Sequence, residues 1–196
     1  MAVPSSNPPS TTPAVPMSRR DRLRRVVILC QSVARNIAYY RVGWREEFKS
    51  KMDHSLHPAS ANFFRVANGN FIDICVLEWC KLFADKRGKQ YWENVVADTA
   101  AFKAGLLNHV GIDEAAFGRA IERMREYRDK FLAHLDSEEI MNIPDLDIPK
   151  QAAWYYYAYI VANETIEGDS SKFDSTLDFL YKQMEKEATA AYRRLQ

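Results

Sequence analysis

The residues of this 196-residue chain best suited to chemistry are an arginine and a histidine six positions apart, Arg128 and His134. An imidazole exchanges a proton near pH 6.5, whereas a guanidinium stays positively charged at any physiological pH. Together the two groups can move a proton and stabilise negative charge that develops on a reacting group. The pair therefore points to proton transfer beside an anion.

Arg128 falls near the middle of the apolar stripe of a predicted helix, between Met124 one turn earlier and Phe131 one turn later. A guanidinium in such a place must pair with a carboxylate, reach a cleft or face a second subunit, because an unpaired buried charge is costly. Two structural alternatives stay open. Arg128 can extend along the helix edge to solvent, or it can pair with Asp73 of the central helix.

On an α-helix, His134 lies about 9 Å along the axis from Arg128 and about 120° around it, on the same face as Tyr127. The two side chains then do not stack, although both can converge on one ligand near the helix end. Cationic side chains in a last turn are also typical of an ordinary helix end, where they meet the negative pole of the helix dipole. Spacing alone does not decide between these interpretations.

The ten residues from Tyr127 to Asp136 read Tyr-Arg-Asp-Lys-Phe-Leu-Ala-His-Leu-Asp. This segment resembles the HEPN superfamily, most closely its abortive-infection (AbiU-like) branch, in which an Arg-(Asn/Asp)-Lys-x-x-Ala-His stretch lies on a bundle helix. The resemblance implies a metal-independent endoribonuclease of a bacterial defence or toxin system. It also implies a catalytic pair, Arg128 and His134, that meets at a homodimer interface, with Asp129 orienting the arginine.

Two positions depart from that pattern. Asp129 stands where many members of the superfamily have Asn, and Asp136 stands where one toxin branch has Tyr. The second departure argues against membership of that toxin branch.

The chemistry implied is attack of a ribose 2′-OH on its own phosphodiester, which leaves a 2′,3′-cyclic phosphate and a 5′-OH end. Two imidazoles across a two-fold axis would serve as base and acid, and DNA should resist because it lacks the 2′-OH. We expect the neighbouring Lys130 and Tyr127 to bind RNA. The expected partners are RNA, a second copy of the chain and an antitoxin or regulatory protein, with no cofactor, no metal and no membrane.

Three other interpretations compete with cleavage by this pair. The first is a non-enzymatic helical dimerisation or binding module, in which Arg128 belongs to a structural ion pair. The second is an RNA-binding bundle that does not cleave, served by the arginine-rich stretch 19–25. The third, a zinc site of His54, His57, Cys75 and Cys80, is disfavoured because the two cysteines lie about 140° apart around their helix.

Apolar spacings of three and four predict an all-α antiparallel bundle of about five to seven helices around these residues. Asp98, Asp113 and Asp147 are suited to capping three of the helices. The four tyrosines and Trp154 between 154 and 159 suit packing or a dimer seam better than base stacking. The predicted helices cover residues 20–51, 62–85, 89–97, 99–109, 114–135, 148–167 and 172–195.

Composition divides the chain into a disordered tail rich in Pro and Ser at 1–17 and a single helical-bundle domain at 18–196. Residues 1–135 carry 21 Lys and Arg against 14 Asp and Glu, whereas residues 136–187 carry 4 against 12. The chain can therefore present one positive and one negative face. The longest apolar run has eleven residues, too few for a membrane span of about 20, and three cysteines form no disulfide framework, so we expect a cytoplasmic protein.

Overall fold

The computed structural model describes residues 17–133, 142–164 and 176–194, with the backbone alone at 131–133. Helices make up 81% of these residues, and no strand occurs among them. The predicted all-α bundle is therefore confirmed. Its seven described α-helices are α1 (Arg19–Gly43), α2 (Glu46–His54), α3 (Pro58–Phe83), α4 (Thr99–Val110), α5 (Glu114–Tyr127), α6 (Asp147–Asn163) and α7 (Leu177–Arg193).

The long helix predicted over 20–51 is two helices, because the chain turns after Gly43. A Cβ atom at Gly43 would overlap the side chain of Asn68 and the hydroxyl of Tyr192, so α1 approaches α3 and α7 too closely there for any other residue. Phe48 of α2 is still buried, at 1% exposure, in a small cluster with Val42 and Tyr192. The apolar spacing therefore predicts the buried side of both helices, but it does not reveal the break between them.

The central helix α3 is packed on one side and exposed on the other, although its residues are apolar almost all round. Its inner face packs against α1 and α5. Trp79 is fully buried there, and its indole donates a hydrogen bond to the Pro149 carbonyl at 3.0 Å. The opposite face carries large apolar side chains that no described residue covers.

Local capping sets the start of α4 and of α5. The carboxylates of Asp98 and Asp113 accept hydrogen bonds from the amides of Ala101 and Ala116, at 2.9 and 2.6 Å, as predicted. Between the two helices, Gly111 has φ +73°, the left-handed conformation that favours glycine at a helix end. The helix predicted at 89–97 is only a short 3-10 turn, Trp92–Asn94.

α6 begins at Asp147, and Leu146 rather than Asp147 occupies the cap position. The helix packs against α4 so closely that a Cβ at Gly105 would overlap the Tyr155 hydroxyl. Tyr156 and Tyr157 are buried at 0% and 4% exposure, as expected for packing residues. None of the seven described helices combines the length and the apolar composition that a membrane crossing requires.

Candidate functional site

The segment singled out in the sequence lies where α5 changes its helical form. The α-helix ends at Tyr127, and a six-residue π-helix, Arg128–Ala133, continues it. The predicted α-helix over 114–135 is therefore wrong for Arg128–Ala133, and residues 134 and 135 lie outside the described residues. Because a π-helix closes its hydrogen bonds from i to i+5, the α-helical estimate of 9 Å and 120° does not apply between Arg128 and the residues that follow it.

Arg128 is held by two carboxylates. Its Nη1 donates to Asp85 Oδ1 at 2.5 Å and its Nε donates to Asp129 Oδ1 at 2.8 Å. The side chain is 20% exposed, whereas those of Asp85 and Asp129 are 40% and 49% exposed. The third nitrogen of the guanidinium, Nη2, forms no hydrogen bond with the described part of the chain.

This pairing decides among the alternatives for Arg128. The arginine does not extend freely along the helix edge, and its partner is not Asp73. The hydrogen bond that Arg128 donates to Asp129, and next the one that it donates to Asp85, raise the pKa of Arg128. Burial of the side chain opposes this rise.

Asp73 is instead the partner of Tyr127, whose hydroxyl donates to Asp73 Oδ1 at 2.7 Å. The Tyr127 ring is 1% exposed. Burial, followed by the bond to Asp73, raises the pKa of this phenol. A ring enclosed in this way offers no face to a base, which argues against the predicted contact of Tyr127 with RNA.

Lys130 lies within the π-helix, with a side chain that is 32% exposed. Its Nζ is 3.0 Å from Glu126 Oε1, one turn earlier. Its predicted role in RNA binding fits this position but stays a prediction.

His134 and Asp136 lie outside the described residues. Ala133, the last residue of the π-helix, directly precedes His134 in the chain, and the description resumes at Asn142. The meeting of Arg128 with His134 therefore stays a prediction.

Two cavities flank α5 without including Arg128. One, of about 280 Å³, lies between α4, α5 and the end of α3, with Lys86, Trp92 and Arg125 among its lining residues. The other, of about 400 Å³, is bordered by Arg123, Tyr127 and residues 142–145. The first adjoins the Arg128 pair, because Lys86 follows Asp85 and Arg125 precedes Arg128 by one turn.

The arginines at the start of α1 fall into two groups, those that contact other parts of the chain and those that are exposed to solvent. Arg19 forms an ion pair with the buried Glu164, and Arg22 donates to the Asn94 carbonyl at 3.0 Å. Arg20, Arg24 and Arg25 are exposed. The surface that these three residues form is the second basic candidate for RNA.

Asp85 is the site residue that the sequence analysis missed. It lies 43 positions before Arg128, just after the end of α3, and no motif connects the two positions. The sequence left a carboxylate partner, a cleft and a second subunit open for Arg128, and of the acidic residues only Asp73 was considered as its partner. As for the zinc hypothesis, the described residues hold no group of three or more His, Cys, Asp or Glu side chains placed to bind a metal ion, and Cys75 and Cys80 are buried.

Comparison of the chain with protein-family models, with curated proteins and with solved structures finds no match.

Proposed function

We propose that this protein is a metal-independent endoribonuclease of a bacterial defence or toxin system, acting at a site that two copies of the chain complete. The observation that carries the proposal is the π-helix that begins at Arg128 and ends one residue before His134. Such helices are rare and occur often at functional sites, since they weaken a helix to place particular side chains. The π-helix begins at Arg128, one of the two residues that the resemblance to HEPN proteins assigns to catalysis, and its last residue, Ala133, directly precedes the other, His134.

The contacts of Arg128 suit a group that must be held still while it binds an anion. Asp129 and Asp85 engage the Nε and Nη1 atoms, which fixes the plane of the guanidinium. The Nη2 atom keeps its two N–H groups for a phosphoryl oxygen. Asp129 thereby takes the orienting role expected for the residue after the arginine.

In the proposed reaction, one His134 removes the proton from the ribose 2′-OH, and the oxygen attacks the adjacent phosphorus. The bond from phosphorus to the 5′-oxygen breaks, and the His134 of the second copy returns a proton to that oxygen. Arg128 stabilises the charge that builds up on the non-bridging oxygens. The products are a 2′,3′-cyclic phosphate and a 5′-OH end.

A second candidate function, a non-enzymatic helical dimerisation or binding module, is favoured by the same two carboxylates. Asp85 and Asp129 neutralise Arg128 fully, as they would in a structural ion pair. A non-cleaving RNA-binding bundle is a weaker alternative, supported by the exposed Arg20, Arg24 and Arg25. Both alternatives predict that RNA stays intact.

The deciding experiment incubates purified full-length protein with RNA in EDTA and identifies the ends of the fragments. We expect cyclic-phosphate ends from the wild type, and a rate lower by about 10²–10⁴-fold in His134→Ala. His109→Ala, a substitution of a histidine on α4, is the matched control and should cut at the wild-type rate. An oligonucleotide with 2′-deoxyribose at every position should resist.

Intact RNA with wild-type protein would refute the proposal and favour the binding module. Gel-shift binding of the same RNA without cleavage would point to the non-cleaving bundle. Equal loss of cleavage in His134→Ala and His109→Ala would remove the special role of His134.

A further inference from the structure

The exposed side of α3 carries one continuous apolar face formed by Phe63, Val66, Asn70, Ile74 and Leu77, here called the α3 face. At about 100° per residue these positions fall within an arc of about 80°, and they extend over about 21 Å of helix. The four apolar residues are 66%, 54%, 42% and 40% exposed in chain order. No charged residue interrupts the face.

The face is large enough to be an interaction surface. Its four apolar side chains expose about 400 Å² together, the size of the largest apolar patch on a typical soluble monomer, which is often functional. A second copy would hide about 800 Å² of such surface, out of the roughly 1,200 Å² that a specific interface needs. Beside the face, Phe64, Ala67, Phe71 and Tyr192 line an apolar groove of about 250 Å³ that adds apolar surface to the same side of the molecule.

The pattern of the face is self-complementary. The apolar residues lie four and seven positions before Asn70 and four and seven positions after it. A second α3, running in either direction, therefore meets apolar residues with apolar residues and Asn70 with Asn70. The carboxamide of asparagine is both donor and acceptor, so two copies can form a reciprocal pair of hydrogen bonds at a two-fold axis.

We infer that the α3 face is the surface through which two copies of this chain associate. This inference deepens the homodimer of the proposed ribonuclease and rests on that proposal for its purpose. A single polar residue buried in an apolar helix–helix interface lowers stability but selects one register of the two helices. Asn70 occupies this position at the centre of the α3 face. Self-association covers all four exposed apolar residues at once without burying a charge.

The test is the mass of the full-length protein in sedimentation velocity experiments from about 1 to about 100 μM. We expect a dimer for the wild type and a dissociation constant raised about 30-fold or more in Ile74→Asp. Phe63→Asp, at the other end of the face, should act in the same way. Ile28→Asp on α1 is the matched control, because Ile28 is 51% exposed and lies outside the face; it should stay dimeric.

A wild type that is monomeric at the highest concentration would overturn the inference, and so would equal dissociation in Ile28→Asp and Ile74→Asp. Circular dichroism and thermal melting show that each variant is folded, which we expect because the substituted side chains are already 42–66% exposed. The measurement involves no RNA. A dimer that does not cut RNA would refute the ribonuclease alone, and a monomer that cuts would refute the α3 face alone.

Discussion

Replacing Arg128 by alanine separates a catalytic from a structural role, because the two roles predict different losses of stability. Each of its two ion pairs involves a carboxylate that is 40% or 49% exposed. Pairs with this access to water contribute about 0.5–1 kcal/mol each. Loss of the packed arginine stem adds a similar amount, so we expect the free energy of unfolding to fall by about 2 kcal/mol.

For a chain of this length, a loss of about 2 kcal/mol lowers Tm by roughly 4–8 °C. Differential scanning calorimetry measures this shift, and the RNA assay on the same sample measures cleavage. We expect a cooperative transition with cleavage reduced by about 10²–10³-fold. A Tm lower by more than about 10 °C would mean that Arg128 has a mainly structural role, since breaking a buried ion pair costs about 3–5 kcal/mol, or roughly 6–20 °C on the same conversion.

Two further variants complete this experiment. Arg125→Ala, one turn earlier, removes an exposed pair with Glu122 at 3.2 Å and should change neither Tm nor cleavage. Arg128→Lys keeps the charge but loses the planar fork that binds Asp85 and Asp129 together, so it should retain most of the stability and little of the activity. Full activity in Arg128→Lys would contradict the role assigned to the fixed guanidinium.

Three more predictions concern helix contacts, pH and the orientation of the dimer. By urea unfolding, Gly105→Ala should cost about 1–3 kcal/mol, since its Cβ would displace the Tyr155 ring of α6, whereas Gly118→Ala, in open space on α5, should stabilise the protein by about 1 kcal/mol. Burial, together with a nearby glutamate, raises the pKa of Tyr91 to about 12 from its usual 10. The neutral phenol is thus favoured in the folded state. Its contribution to the free energy of unfolding is complete below pH 10 and is lost as pH rises from 10 to 12. Thermal melts of Tyr91→Phe should lack this loss of stability over the same pH range. If the two Arg128 residues of a dimer share one site, the two copies of α3 run parallel. Leu77→Cys should then form a disulfide between the two copies. Cross-linking only when Leu77→Cys is mixed with Phe63→Cys would show an antiparallel dimer with separate sites.

Features that depend on neighbouring residues were predicted well from the sequence. Asp98 and Asp113 cap their helices because the carboxylate needs only amides two or three residues ahead. The stripe residues of α1 and α5, such as Val33 and Met124, are buried as their spacing predicts. The boundary at Gly43 was not predicted, because it depends on the approach of Asn68 and Tyr192 from two other helices.

The candidate site was predicted in part. The position of Arg128 in an apolar stripe showed that it needs a partner, and the adjacent Asp129 accepts one of its hydrogen bonds. The prediction that Tyr127 binds RNA did not take account of Asp73, whose carboxylate accepts a hydrogen bond from the buried phenol. The change from α-helix to π-helix at Arg128 was also not predicted, because apolar spacings of three and four indicate an ordinary α-helix.

By itself, the sequence determined that the chain forms helices, where several of them begin, and which side of most of them turns inward. These properties depend on hydrogen bonds and apolar spacings within a few residues. Only the tertiary structure decided that Asp85 meets Arg128 and that one apolar face of α3 is left uncovered. Contacts between residues tens of positions apart depend on how every helix packs, and many arrangements satisfy the same local pattern.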